Sequence, residues 1–191
     1  MSESDKSISP IFSGSQLIDL QLSAKPKPMS REFYQEYIEN NRAIITRICR
    51  AYADTEADFQ DHFQEVCLQL WRSRDNFRQQ AQLSTWIYRV SLNVCLSLVR
   101  KKEKQLLPQE HADRAAVFSL PEANPIEAQQ LETLYRAIRQ LKQADRAVIL
   151  LYLEEKTYEE MAQILGISIS NVGVRINRIK ERLKKYIYGG A

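Results

Sequence analysis

The chain has 191 residues, 44% of them hydrophobic and 27% charged, a balance that can bury a core and excludes wholesale disorder. Its 27 Lys and Arg against 24 Asp and Glu leave a net charge of only +3, too small to name a partner by itself. The longest apolar run, Ala147 to Leu153, falls far short of the roughly 20 residues that a membrane-spanning helix needs, so no membrane insertion is expected.

Residues 1–29 read as a flexible N-terminal tail. They carry Glu3, Asp5 and Asp19, lack the apolar stretch and cleavage site of a secretory signal, and include Lys25-Pro26-Lys27-Pro28, which cannot continue a helix. Ile18, Leu20 and Leu22 leave room for one short packed element. The default compartment is the cytoplasm. Cys49, Cys67 and Cys95 lie in patterned apolar positions without zinc-site spacing and are expected to be reduced core residues. Residues 30–105 read as one helical domain: from Ser30 to Lys104 there is neither Gly nor Pro. Phe59, Phe63, Val66, Cys67, Leu70 and Trp71 recur at helical spacing. Pro108 and Pro121 break the pattern, and residues 106–124 are the expected linker. A second helical domain over 125–188 starts at Pro125, with Asn124 as its cap, and ends before Gly189 and Gly190. The fold class is therefore all-α, two small helical domains joined by a flexible linker. With only 5 Gly in the chain there is no Gly-rich phosphate loop, and nucleotide hydrolysis is unsupported.

Within the second domain, Thr157-Tyr158-Glu159-Glu160 has the form of a capping box at a helix start. Gly166 suits the left-handed residue that ends this short helix, and Ser168 or Ser170 suits the cap of the next. Val172, Ile176, Ile179 and Leu183 fall on one face of that following helix, while Arg175, Asn177, Arg178, Lys180 and Arg182 face outward or flank the stripe. Helix, short turn, helix is how many proteins place a recognition helix in the major groove. From Ile167 to Tyr188 six basic residues stand against Glu181 alone, a net of +5 that attracts a phosphate backbone.

The first domain is electrically polarised. Asp54, Glu56, Asp58, Asp61 and Glu65 follow one another with no Lys or Arg between them, whereas the segment from Trp86 to Lys104 holds Arg89, Arg100, Lys101, Lys102 and Lys104 against Glu103. One end repels nucleic acid and the other attracts it. Phe77, Trp86 and Tyr88 lie among the cations, a combination suited to stacking unpaired bases, although for Trp86 taken alone core packing is the simpler account.

These residues together resemble a known family. Asp61-His62-Phe63-Gln64-Glu65-Val66, Asn76-Phe77-Arg78, then Ser84-Thr85-Trp86-Ile87-Tyr88-Arg89-Val90 and Asn93 are similar to region two of bacterial sigma factors of the extracytoplasmic-function group. The second domain resembles region four. The resemblance covers roughly residues 35 to 187 and implies a protein that binds core RNA polymerase, directs it to promoters and helps open the duplex. It implies no covalent chemistry, no cofactor and no metal. Carried over by position, Asp61, Gln64 and Glu65 would dock on the β′ clamp coiled coil, and the second domain would meet the β flap. Phe77, Trp86, Arg89, Asn93, Arg100, Lys101 and Lys102 would handle the minus-ten element of promoter DNA. Asn93 matches a position facing an extruded base, whose edge an amide can read. Asn171, Val174, Arg175, Asn177, Arg178 and Lys180 would face the minus-thirty-five element. Many relatives carry a basic residue directly after the recognition-helix Val, where this chain has Gly173. Arg175 then becomes the first choice for reading a base. An anti-sigma factor is the family's usual control.

Two other readings compete. A metal-dependent nuclease would use Asp58, Asp61, His62 and Glu65, which lie one to two turns apart on a helix. Against it, His62 is expected to point away from the apolar stripe. A stand-alone helix-turn-helix regulator would bind promoter duplex without polymerase.

Overall fold

The computed structural model describes residues 29–77, 82–105 and 125–188. The tail with Ile18, Leu20 and Leu22, the linker with His111, the Asn124 cap and the terminal Gly189 and Gly190 lie outside the described residues. Everything described is helix or short connection.

The first helical stretch is irregular. The Ser30 hydroxyl accepts from the Phe33 amide at 3.2 Å and starts a single α-turn, Arg31–Phe33. A π-helical turn, Tyr34–Ile38, and a 3₁₀ turn, Glu39–Asn41, then lead into α1, Arg42–Tyr52. Turns of changed pitch disrupt the regular carbonyl ladder, and the Asn41 amide donates to the Glu36 and Tyr37 carbonyls at 3.1 and 3.4 Å. Thr55 caps α2, Glu56–Ser73, by accepting from the Asp58 amide at 3.1 Å. Glu56 and Asp58 in its first turn complement the helix dipole. The third helix of this unit is α3, Leu83–Gln105. Ile45, Ile48, Cys49 and Tyr52 of α1, Val66 and Leu70 of α2, and Ile87, Tyr88, Leu92 and Cys95 of α3 fill the space between the three. Cys49 and Cys95 are buried reduced thiols 4.0 Å apart, and Cys67 is partly buried.

The second unit holds α4, Pro125–Arg139, α5, Gln143–Leu153, α6, Tyr158–Leu165, and α7, Ile169–Tyr188. Its core is Ile138, Val148, Leu151, Met161, Ile164, Val172, Ile176 and Ile179, all fully buried.

The two units are packed together: α1 lies against α4 and α5, α3 lies against α6, and their buried residues form one cluster. Polar groups of the second unit close the carboxy-terminal end of α1, where helical carbonyls lack internal partners. Arg139 and Arg146 donate to the Arg50 and Ala51 carbonyls at 3.5 and 3.4 Å. In return the Tyr52 hydroxyl donates to the Gln143 carbonyl at 2.8 Å. Glu154, at the end of α5, accepts from Arg47 at 2.7 Å and from the Tyr88 hydroxyl at 3.1 Å.

Candidate polymerase and promoter interfaces

The acidic cluster of the sequence divides into two groups. Asp61 and Gln64 are exposed on α2, and Glu65 is half-exposed beside Arg72, 3.4 Å away. Leu68, 42% exposed, extends the same helix face and was missed in the sequence because it reads as one more apolar residue of an amphipathic helix. Asp54 and Asp58 instead meet Lys102 of α3 at 3.3 and 2.8 Å. Burial pushes the Asp58 carboxyl up, but Lys102 and Thr55 outweigh it and hold the carboxyl below its ordinary value. Lys102, expected on DNA, is thus held at the foot of α2.

His62 corrects the expectation made for it: it is 6% exposed, turned into the core rather than away from it. Burial lowers its pKa, against the pull of Asp58 and of a hydrogen bond with the Cys49 backbone. Asp61 and His62 therefore lie on different faces, and no group of three or more His, Cys, Asp or Glu among the described residues is placed to hold a metal ion.

The far end of the first unit is an aromatic cluster. Phe77 and Trp86 lie 5.1 Å apart between ring centres, Tyr37 meets both edge-on at 6.4 and 6.0 Å, and Phe33 stacks on Tyr37 at 4.5 Å. Trp86 and Phe77 are each partly buried. Asn93 is half-buried further along α3, and Arg100 and Lys101 are exposed near its end. Arg89 donates to the Gln163 carbonyl of α6 at 2.5 Å, which ties the expected minus-ten surface to the second unit.

In the second unit the local signals have the geometry they imply. The Glu160 amide donates to the Thr157 hydroxyl at 3.2 Å and the Thr157 amide to the Glu160 carboxylate at 2.9 Å. Gly166 takes φ 66° and ψ 33°, and Ser168 accepts from the Asn171 amide at 3.3 Å. Val172, Ile176, Ile179 and Leu183 are buried, while Asn171, Val174, Asn177 and Arg178 are exposed on the other side of α7. Arg175 and Lys180 are placed differently. Arg175 pairs with Asp145 at 3.2 Å and with the Asn171 side chain at 3.0 Å. Lys180 donates to the Tyr152 hydroxyl at 2.7 Å, with its nitrogen 4.1 Å from the ring centre. Arg182 takes the second Asp145 oxygen at 2.9 Å. Asp145 is 9% exposed; no local signal marks it, because its partners lie 30 and 37 residues away.

The sequence matches the family models of Sigma-70 region 2 over residues 37–105 and of Sigma-70, region 4 over residues 131–183, together more than half of the chain. It is 26% identical over 172 residues to the ECF RNA polymerase sigma factor SigW of Bacillus subtilis, covering 84% of this chain and 92% of that protein. It is 25% identical over 183 residues to the ECF RNA polymerase sigma-E factor of Haemophilus influenzae, covering 90% and 96%. The chain belongs to the extracytoplasmic-function sigma factors. Two solved structures, one of them of a sigma factor, share its fold at 19% identity. RpoE, solved with the anti-sigma factor NepR from Bartonella quintana, has a TM-score of 0.69 and covers 85% of this chain and 100% of that chain. CnrH, solved with the cytosolic domain of CnrY, has a TM-score of 0.61 and covers 85% and 92%. As a sigma factor the protein directs RNA polymerase in transcription initiation. Among the described residues of this sigma factor, no helix is long and apolar enough to cross a membrane.

Proposed function

We propose that the exposed face of α2 carrying Asp61, Gln64 and Glu65 docks on the β′ clamp coiled coil, that α3 and the Phe77–Trp86 end open the minus-ten element, and that α7 reads the minus-thirty-five element while its unit meets the β flap. The working domains are 30–105 and 125–188, with 1–29 as tail and 106–124 as linker. The observation that carries this is exposure: Asp61 and Gln64 are exposed on α2 and Arg100 and Lys101 on α3, so each helix offers charge of one sign to a partner. Asn93 reads the extruded base through its amide. On α7, Asn171, Val174, Asn177 and Arg178 stand at the surface, whereas Arg175 reaches DNA only by leaving Asp145. The reader role therefore moves from Arg175 to these exposed neighbours. The protein performs no covalent chemistry, works in the cytoplasm beside the polymerase, and is held in check by an anti-sigma factor, the kind of partner with which RpoE was solved.

The test is run-off transcription with purified core polymerase and promoter DNA. Wild-type protein is expected to give promoter-dependent transcripts. Asp61→Lys with Glu65→Lys is expected to lose core binding with an unchanged circular dichroism spectrum, because exposed carboxylates contribute little to stability and much to partner complementarity. Normal core binding by that double variant overturns the docking assignment. Tight promoter binding with no response to polymerase would favour the stand-alone regulator.

A further inference from the structure

Asn171 is the third residue of α7, at the amino-terminal end that helix-turn-helix proteins bring to base edges. Its amide is exposed, yet its orientation is fixed. Arg175 Nε lies 3.0 Å from the Asn171 side chain, and a guanidinium has donors only. The atom facing it is therefore Oδ1, and Nδ2 points away from Arg175. Arg175 is held in turn, because its Nη1 donates to Asp145 Oδ1 at 3.2 Å. Arg182 Nη1 occupies Asp145 Oδ2 at 2.9 Å. The carboxylate has an anchor on each oxygen and is nearly buried. At the other side, the Ser168 hydroxyl fixes the Asn171 backbone amide at 3.3 Å.

We propose that Asp145, Arg175 and Asn171 form a relay that turns the Asn171 amide donors toward the promoter and its oxygen toward Arg175, making Asn171 a specificity-determining residue and Asp145 and Arg175 positioning residues. The inference rests on α7 being the minus-thirty-five reader. With one Oδ1 lone pair taken by Arg175, the two-point pairing of Asn with adenine N6 and N7 must share that oxygen with the guanidinium and is weakened, while both Nδ2 donors stay free of Arg175. Such donors select acceptor edges: guanine, with N7 and O6 adjacent, best, and thymine O4 next. Cytosine, whose major-groove group is the N4 donor, is disfavoured. Asn171→Asp keeps one oxygen on Arg175 and turns the other outward as an acceptor, so the favoured partner becomes cytosine.

The experiment is holoenzyme binding to a promoter library randomised over the upstream element, at fixed salt. Wild-type protein is expected to favour guanine over cytosine at one position by about fivefold or more, the worth of a single net hydrogen bond. Asn171→Asp is expected to reverse that preference at the same position alone. Asp145→Asn is expected to flatten it while leaving preferences elsewhere in place, whereas a merely structural Asp145 would weaken all sequences alike. If wild-type holoenzyme shows upstream preference and Asn171→Asp reverses none of it, the relay is wrong. If wild-type holoenzyme shows no upstream preference at all, the assignment of α7 falls, and the relay with it.

Discussion

The helix-turn-helix contains two glycines with opposite expected responses to the same substitution. Gly173 lies inside α7, where glycine is less favourable than alanine by about 1 kcal/mol because it loses more backbone freedom on folding. A Cβ there would stand 3.5 Å from Tyr158 Cε2 and 4.0 Å from Cδ2, ordinary contact that neither clashes nor leaves a hole. Gly173→Ala is therefore expected to stabilise the protein by about 1 kcal/mol, close to 0.5 M in urea midpoint if the slope is about 2 kcal/mol per molar. Gly166 has open space around its Cα but holds φ at +66°, so Gly166→Ala is expected to destabilise by about 1 kcal/mol or more through backbone strain alone. Urea titration followed by circular dichroism reads both, with unchanged slope as the control for an unchanged denatured state. A destabilised Gly173→Ala would show that the approach of α6 to α7 requires the missing side chain, and would refute the argument from open packing.

The remaining expectations concern other parts of the molecule. His62 is buried with its pKa below the ordinary 6.5, so as pH falls through that value the unfolded chain takes up a proton that the folded chain refuses, and stability drops. Urea midpoints at pH 7.5 and 5.5 are expected to differ less in His62→Gln than in wild type; equal differences would remove His62 as the cause. Asn93→Ala is expected to reduce open-complex yield, measured by permanganate footprinting, more than initial duplex binding, since an extruded base recovers an unstacking cost of a few kcal/mol in its pocket. Equal losses in both steps would count against the assignment. Arg47→Glu is expected to loosen the contact between the units and Glu154→Arg added to it to restore that contact, read as the radius of gyration in solution scattering. With Arg47 at 44% side-chain exposure, the pair contributes about 1 kcal/mol or less, so an unchanged radius in the single variant would mean that the apolar contact and the remaining hydrogen bonds hold the units without it.

What the sequence disclosed was local. Thr157, Gly166 and Ser168 each act on a partner within four residues, and each has the conformation its chemistry implies. The stripe Val172, Ile176, Ile179 and Leu183 is buried because a 3.6-residue period puts those positions on one face. Long-range pairing was not legible. Lys102 read as one of a run of DNA-facing cations until folding brought Asp54 and Asp58 beside it. Arg175 read as an outward donor until Asp145 was brought beneath it. His62 adjoins the α2 stripe, and whether it is buried depends on how widely α1 covers that helix. The π-helical turn at Tyr34–Ile38 left no sequence mark, since neither Gly nor Pro interrupts it.

The contact between the units has a consequence for promoter binding. On the proposed assignments, α3 serves the minus-ten element and α7 the minus-thirty-five element, about 25 base pairs away, or roughly 85 Å at 3.4 Å per step. In the fold, α6 packs on α3 and α7 packs on α6, two interaxial spacings of about 8–10 Å each. At 1.5 Å per residue α3 and α7 are only about 35 and 30 Å long, so packed this closely they cannot meet both elements of a straight duplex, and Arg89, one of the minus-ten residues, is already used by the Gln163 carbonyl. Engaging both elements therefore requires the units to part, breaking the Arg47–Glu154, Tyr88–Glu154, Tyr52–Gln143 and Arg89–Gln163 contacts. Most of these are partly exposed polar contacts that water can replace at modest cost. The larger cost is the apolar contact of α1 with α4 and α5, and polymerase, docking the two units at separate sites, offsets it by holding them apart.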